Sequence, residues 1–456
     1  MSVRTLAVAV AVVISAAAPV TLARQRQLPR AQAVEPLQAK RTYVRLANNA
    51  NALLVEPLDP GSKSRILAIN THPDHNNNFE YFIGRELVGR GYRALGINYY
   101  GPEETMEEFL PAIAAAVRYA RAVPGVEKVV FATHSGGGPE LTFYEEVAEN
   151  GPSVCQGPTR ISPCKGSGLT GLPKVDGVLL LDINIGAPHR TISIDPAVDT
   201  SHPRRRDVAL DMYAPQNGFD PESNRAKYPA DFVKRFFAGV HARSERLIAE
   251  AQSKLKAIEN GEGPYKDNEP FVIAGMAVNA VGARPNLADP RILSRTHAAH
   301  LHLKADGTTP VEIVRSSRNG DATAPQQRDT LRDTVQNTTV RHFLSFLAVR
   351  TTADYALSED SIKGIDWRSS ANSAVGSVEN IKVPTLVMAA TCAIHLIPLE
   401  TVFDHSAAAD KDFVAVEGAD HGFQPCRPEF GNTTKRAFDY ADAWLSKPGR
   451  FESRRQ

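Results

Sequence analysis

The chain has 456 residues, of which 42% are hydrophobic and 23% are charged, and its formal net charge at pH 7 is +1. It is long enough to bury a large core in one or two domains. The near-neutral charge balance gives no electrostatic reason to expect nucleic acid or an anionic membrane as a partner.

The N-terminal segment, "MSVRTLAVAVAVVISAAAPVTLA", has one Arg followed by an apolar run. Thr21 and Ala23 are small enough for the −3 and −1 positions of a cleavage site, which predicts a signal peptide over residues 1–23. The alternative is an uncleaved anchor, because residues 5–23 are just long enough to span a bilayer. The Ala-rich end favours cleavage. We therefore expect a secreted or periplasmic protein without a membrane span once the signal is removed.

Residues 24–42 are polar and basic and have no periodic pattern, so they are expected to form a loose leader. Export would place the four cysteines in an oxidising compartment, where an even number favours disulfides. Four cysteines allow three pairings. Local spacing favours Cys155 with Cys164, which leaves Cys392 with Cys426. The alternative, four free thiols, requires the export prediction to be wrong.

Short apolar runs with the length of buried parallel strands alternate with amphipathic helical patterns. This alternation predicts the α/β class with a doubly wound, mostly parallel sheet. The predicted strands are 65–70, 94–98, 128–132, 177–183, 384–389 and 412–417. The predicted helices are 79–91, 103–123 and 431–447.

The alternation stops over residues 186–378, a segment too long for a loop in a compact domain. Helical spacing of apolar residues predicts a long helix over 228–261 and a second one over 338–350. A hairpin is expected over 299–317. We interpret this segment, called the insert below, as a large, mainly helical cap placed between two parts of the core, 43–185 and 379–456.

The stretch "KVVFATHSGGGPEL" places Ser135 between a predicted strand and a helical pattern. A nucleophile on such a turn needs small neighbours, and Gly136 and Gly137 meet that need. The string Thr-His-Ser-Gly-Gly resembles the G-x-S-x-G elbow of the α/β-hydrolase family, with Thr133 in place of the first glycine. The resemblance covers about 65–185 and 380–446. Without it, the stretch would read as a Gly-rich structural turn.

The resemblance implies a base in the loop after the last strand, where "GADHGF" supplies His421. The family's usual acid follows the strand at 384–389, but the position four residues before Pro398 is Ile394. A second arrangement in the family places the acid at the end of the strand after the nucleophile strand, which points to Asp182. The reserve candidates for the acid are Glu400 and Asp404, and the alternative role of Asp182 is a turn cap.

The oxyanion site is expected from the loop after strand 65–70, paired with the backbone N–H of Gly136. The family commonly has His-Gly there, whereas this chain has His-Pro, and proline has no N–H. The predicted donor is therefore the N–H of Asp74. A disulfide between Cys392 and Cys426 would support the His421 loop near the position of the missing acid.

Other patterns carry less chemistry. His297, His300 and His302 lie close together, but two histidines on a strand are more often structural than metal ligands. No nucleotide-binding motif follows a strand, so neither a metal nor a cofactor is predicted.

The resemblance implies a serine hydrolase that cleaves a carboxylic ester of a small-molecule substrate through Ser135, His421 and Asp182, and the predicted signal peptide implies that it is exported. Amide, thioester and lactone cleavage would use the same groups. Two alternatives stay open from sequence: a non-catalytic binding protein that keeps the fold, and an insert that mainly binds a protein partner. The oligomeric state is not indicated.

Overall fold

The central feature of the structure, a computed structural model, is one ten-stranded sheet. The structure describes residues 37–73, 78–100, 104–198, 202, 206–276, 284–319 and 334–451. The predicted signal peptide and most of the predicted leader lie outside these ranges. The described residues from Gln38 onward form one compact unit.

In chain order, the strands of this sheet are β1 (Ala39–Arg45), β2 (Ala50–Pro57), β3 (Ile66–Asn70), β4 (Arg93–Tyr99), β5 (Lys128–Ser135), β6 (Gly177–Ile183), β7 (Arg295–Leu303), β8 (Val311–Arg315), β9 (Thr385–Ala390) and β10 (Lys411–Val416). Their spatial order is β1-β2-β4-β3-β5-β6-β9-β10-β7-β8. Neighbours from β4 to β7 pair in parallel, and the pairs β1·β2, β2·β4 and β7·β8 are antiparallel. The predicted fold class is therefore confirmed.

Helices cover both faces of the sheet. The longer ones are α1 (Phe82–Val88), α2 (Leu110–Ala122), α3 (Gly137–Asn150), α4 (Ala230–Glu259), α5 (Leu396–His405) and α6 (Thr433–Leu445). Shorter helical segments are Ser153–Gln156, Ala187–Thr191, Pro285–Ala288, Val340–His342 and Ala374–Val378. None of the described helices is long and apolar enough to cross a membrane.

Alternate residues of the buried strands supply two separate hydrophobic clusters, as a period of two requires. In β5, Val129 and Phe131 join the cluster that contains α2 and α3. Val130 and Ala132 join the cluster that contains α1 and α6. This double burial explains why the central strands read as continuous apolar runs in the sequence.

The insert contains α4, which matches the helix predicted over 228–261. Its apolar stripe is buried, and the ring of Phe237 packs edge-on against Tyr355 at 5.7 Å between centroids. The insert also contains three small antiparallel pairs: Phe219–Asp220 with Arg225–Ala226, Pro270–Ala274 with Val335–Thr339, and Thr351–Leu357 with Ile362–Ile365.

Three parts of the chain differ from the sequence-based expectation. The hairpin expected over 299–317 is present as β7 and β8, but β7 pairs in parallel with β10 and so extends the central sheet. The helix expected over 338–350 is instead a strand ending at Thr339, followed by short helical turns to Leu347. Residues 39–42, expected in the loose leader, belong to β1, whose residues are mostly exposed at the sheet edge.

Candidate active site

Ser135 ends β5, and α3 begins two residues later at Gly137. The φ angle of Ser135 is +50°, which lies in the left-handed region. This conformation is unfavourable for any residue that has a Cβ atom. A strained turn at this point projects a side chain from the carboxyl edge of the sheet, where ligands of α/β proteins bind. The strand–turn–helix context expected of a nucleophile elbow is therefore present.

The glycines after Ser135 are required by close packing. A Cβ at Gly136 would lie 2.2 Å from Cγ of Pro73, and a Cβ at Gly137 would lie 2.3 Å from the carbonyl oxygen of Thr71. A Cβ at Gly138 would come within 2.5 Å of a β6 side chain. The loop after β3 and the start of α3 can approach each other only because these positions have no side chain.

The structure brings the predicted Ser135, His421 and Asp182 together in one hydrogen-bonded chain. His421 Nε2 lies 3.0 Å from Ser135 Oγ, and His421 Nδ1 lies 2.6 Å from Asp182 Oδ2. Because a carboxylate accepts, Nδ1 carries the proton and Nε2 is left to accept from the serine hydroxyl. The imidazole thus has the tautomer that a general base needs.

Asp182 is fully buried at the end of β6, with a φ of +44°. Its Oδ1 accepts from the backbone N–H of Ala390 at 3.0 Å, and its Oδ2 accepts a second imidazole, His395 Nδ1, at 2.9 Å. Burial alone would raise the pKa of this carboxyl, but the electrostatic interaction and hydrogen bond with His395, together with the hydrogen bond from His421, lower it below its ordinary value. Asp182 is therefore ionised at neutral pH.

His395 was missed by the sequence reasoning. It directly follows Ile394, in the loop where the family's usual acid was sought and not found. Burial lowers the pKa of His395, against the opposing effect of Asp182, so its ring is neutral at neutral pH. This loop thus contributes a hydrogen-bond donor to a carboxylate that comes from β6.

His134, which precedes Ser135, holds the His421 loop. Its Nε2 lies 2.6 Å from the carbonyl oxygen of His421 and its Nδ1 lies 2.7 Å from the Tyr81 hydroxyl. A carbonyl can only accept, so Nε2 carries the proton and the tyrosine donates to Nδ1. Burial lowers the pKa of His134 to about 3, so it stays neutral. Its ring also packs on that of His421, with centroids 4.4 Å apart.

The reserve acids lie in another cluster. Glu400 accepts from His300 Nε2 at 2.7 Å and from the backbone N–H groups of His297 and Ala298. Asp404 lies 3.6 Å from His297 Nε2. In this arrangement, Glu400 and Asp404 make their contacts on the β7 side of α5, whereas Asp182 contacts His421.

The two predicted oxyanion donors are the backbone N–H groups of Asp74 and Gly136, and the structure describes only the second. Asp74 lies outside the described residues. The N–H of Gly136 has no acceptor among the described residues, and Gly136 borders the same cavity as Ser135. Such a donor beside a nucleophile can stabilise charge that develops on a carbonyl oxygen.

Both predicted cysteine pairs, Cys155–Cys164 and Cys392–Cys426, have their sulfurs at disulfide distance. The second pair joins the loop after β9 to the loop after β10, which carries His421. A backbone hydrogen bond reinforces this junction, since Cys392 N–H donates to Ala419 O at 2.9 Å, and the bond from Cys426 N–H to Gly418 O, also 2.9 Å, closes the second loop on itself. The bridge thus holds the His395 and His421 loops side by side.

A cavity of about 420 Å³ opens over the serine. Its lining includes Ser135, Asn184, His189, Arg190, His395 and His421. Among the described residues, Asp182, His395 and His421 are close enough together to be considered as metal ligands. Their potential ligand atoms all lie within 4.8 Å of one another. Those atoms already form direct hydrogen bonds with each other.

No family model and no curated protein matches the chain. Solved structures with a similar fold include an esterase domain from Rhodothermus marinus (13% identity, 89% of this chain and 97% of that one, TM-score 0.36). An alpha/beta hydrolase from Penicillium (11%, 89% and 97%, 0.40) and carboxyl esterase 2 from Tuber melanosporum (9%, 92% and 89%, 0.39) are others. A similarity this distant assigns no activity. The parallel sheet with its elbow at Ser135 is of the α/β-hydrolase type.

Proposed function

We propose that this chain of α/β-hydrolase type is an exported serine hydrolase that cleaves a carboxylic ester of a small molecule. The observation that carries the proposal is the hydrogen-bonded chain from Ser135 Oγ through His421 to the buried carboxylate of Asp182, at the edge of an open cavity. The order Ser, Asp, His along the chain is also that of α/β-hydrolase enzymes.

In the proposed reaction, Ser135 Oγ attacks the ester carbonyl carbon while His421 Nε2 takes the hydroxyl proton. The resulting oxyanion accepts from the N–H of Gly136. The tetrahedral intermediate collapses, its bond to the alcohol oxygen breaks, and His421 returns the proton to the leaving alcohol. Water then repeats the sequence on the acyl-enzyme and releases the carboxylic acid.

Asp182 makes His421 a competent base in two ways. Its carboxylate fixes the proton on Nδ1, and its negative charge stabilises the imidazolium that forms when Nε2 is protonated. His395 and the N–H of Ala390 hold the carboxylate in place and keep it ionised. We assign these two groups a positioning role.

Export is supported by the two cysteine pairs, because disulfides persist in oxidising compartments. An ester is the favoured substrate because its alcohol leaves with less assistance than an amine. The insert supplies His189 and Arg190 to the cavity wall, so we assign it a part in substrate selection.

The direct test is a panel of 4-nitrophenyl esters of graded acyl length, assayed with the mature protein. We expect turnover of at least one ester and its loss, by a factor of about 10³ or more, in Ser135→Ala. Ser223→Ala, in an exposed turn, is the matched control and should retain full activity. Hydrolysis that persists in purified Ser135→Ala would contradict the proposal.

A further inference from the structure

The imidazole ring of His189 has an N–H group for which no described residue supplies a hydrogen-bond acceptor. It lies on the short helix Ala187–Thr191, is 4% exposed and lines the cavity over Ser135. Arg284 Nη1 lies 2.8 Å from His189 Nε2. A guanidinium can only donate, so Nε2 must accept and the proton must be on Nδ1. Since no described atom accepts from Nδ1, a hydrogen-bond donor in the cavity wall is left for a ligand.

Behind this histidine lies a buried positive charge. Arg284 is 1% exposed, and besides His189 Nε2 its partners are Ser193 Oγ at 2.6 Å and the carbonyl oxygen of His189 at 2.7 Å. All of these are neutral acceptors. Burial lowers the pKa of Arg284 to about 9, which leaves it protonated at neutral pH. A buried cation whose described partners are all neutral creates a positive potential that favours an anion nearby.

Arg190 adds a second guanidinium to the same wall, since it follows His189 and lines the cavity. A guanidinium has five N–H groups, so it can donate to a ligand and to protein groups together. The nearby carboxylate, Asp182, is occupied by two imidazoles and the N–H of Ala390. Among the described lining residues there is no carboxylate.

We propose that the ester cleaved at Ser135 carries a free carboxylate, which binds to His189 Nδ1–H and the guanidinium of Arg190. A planar carboxylate matches the paired donors of a guanidinium, and a hydrogen bond between charged partners is stronger than one between neutral groups. This inference rests on the proposed ester hydrolysis, and it names the class of substrate. The positive charge of Arg284 acts from behind His189 and does not touch the ligand.

The test uses two matched pairs of chromogenic esters. In the first, 4-nitrophenyl hydrogen adipate is compared with its methyl ester, so the carboxylate is on the acyl part. In the second, 4-(butyryloxy)benzoate is compared with its methyl ester, so the carboxylate is on the alcohol part. We expect kcat/KM to favour the charged member of at least one pair by about tenfold or more. Equal kcat/KM values in both pairs would overturn the inference.

Variants connect the preference to the cavity wall. Arg190→Gln should lower kcat/KM for the charged ester about 10- to 100-fold, and much less for its neutral partner. Arg190→Lys, which keeps the charge, should recover part of the preference. Arg235→Gln, on the exposed side of α4, is the control and should keep the wild-type ratio. A preference unchanged in Arg190→Gln would also overturn the inference.

A binding measurement separates this inference from the proposed function. Calorimetry with Ser135→Ala and glutarate should detect binding that weakens in Ser135→Ala/Arg190→Gln. If wild type cleaves no ester but glutarate binds in this way, the hydrolase proposal fails and the carboxylate site stands. If neutral esters are cleaved through Ser135 and glutarate does not bind, only the carboxylate site fails. Tighter binding of inorganic phosphate than of glutarate would contradict the carboxylate assignment.

Discussion

The carboxylate of Asp182 is shared by two histidines: its Oδ2 lies 2.6 Å from His421 Nδ1 and also accepts His395 Nδ1 at 2.9 Å. One buried charge therefore orients the base and is itself held by a second imidazole. The two histidines therefore have different contacts, because His421 hydrogen-bonds to the serine, whereas His395 hydrogen-bonds to the acid and lines the cavity.

Replacing Asp182 with Asn should lower kcat by about 10² to 10⁴. The amide keeps the size of the carboxylate, but it has lost the charge that stabilises the imidazolium and fixes its tautomer. Kinetics normalised to folded protein measure the effect. Glu400→Gln and Asp404→Asn serve as controls, since their contacts are with other histidines. A normal kcat in Asp182→Asn with a large loss in either control would place the acid elsewhere.

His395→Gln should lower kcat by roughly tenfold, the effect expected from removing one charge-assisted hydrogen bond that positions the acid. Because His395 acts through Asp182, the double variant Asp182→Asn/His395→Gln should lose little more than Asp182→Asn alone. A double-mutant cycle on kcat measures this coupling. Losses that multiply would show that His395 acts independently of the acid.

The sequence predicted Ser135, Asp182 and His421 because each lies at the end of a predicted strand or in the loop after one, at a place that the resemblance to the α/β-hydrolase family marks. His395 could not be found in this way, because its partner is 213 residues away and nothing near it marks the contact. The donor on His189 is equally hidden, since its tautomer depends on Arg284, 95 residues further along.

Burial decides which parts of the fold could be predicted from the sequence. Strands such as β5 and β6, buried on both faces, read as apolar runs. The edge strand β1 does not, because most of its residues are exposed. The prediction of a helix over 338–350 was wrong, because the apolar residues with helical spacing there belong to the end of a strand and to two short helical turns. These turns pack against the neighbouring strand through the contact between the rings of Phe343 and Phe271.

Buried His134 should make stability depend on pH. Its pKa in the folded protein is about 3, against an ordinary value of 6.5. Between these values the unfolded chain binds a proton that the folded protein lacks. The free energy of unfolding should therefore fall as the pH falls through about 6.5, with a slope from this residue that approaches about 1.4 kcal/mol per pH unit below about pH 5.5.

The matched variant is His134→Gln, whose amide can donate to the His421 carbonyl and accept from Tyr81 but cannot titrate. Urea unfolding at pH 7, 6 and 5 should show a shallower pH dependence than that of wild type, and the difference in slope should be larger between pH 6 and 5, where it approaches about 1.4 kcal/mol per pH unit, than between pH 7 and 6. Parallel slopes for the two proteins would mean that His134 is not held neutral by the fold.

The two disulfides should differ in their effect on activity. The chain-entropy estimate gives a loss of about 3 kcal/mol for opening the 155–164 loop and about 4 kcal/mol for the 392–426 loop, so stability alone separates them poorly. Activity should separate them, because only the second bridge joins the His395 and His421 loops. We expect a clear drop in kcat for Cys392→Ser/Cys426→Ser, and near wild-type kcat for Cys155→Ser/Cys164→Ser at a temperature where both are folded. The reverse order would contradict the assigned role.

The central claim is that Ser135 is an activated nucleophile, and the most direct measurement is its reaction with a fluorophosphonate probe followed by peptide mass spectrometry. The probe reacts only with a serine whose hydroxyl is activated by a neighbouring base. The account predicts a single adduct on the peptide that carries Ser135, strongly reduced labelling in His421→Ala, and none in Ser135→Ala. Folded wild-type protein that stays unlabelled, or an adduct on another serine that persists in Ser135→Ala, would contradict it.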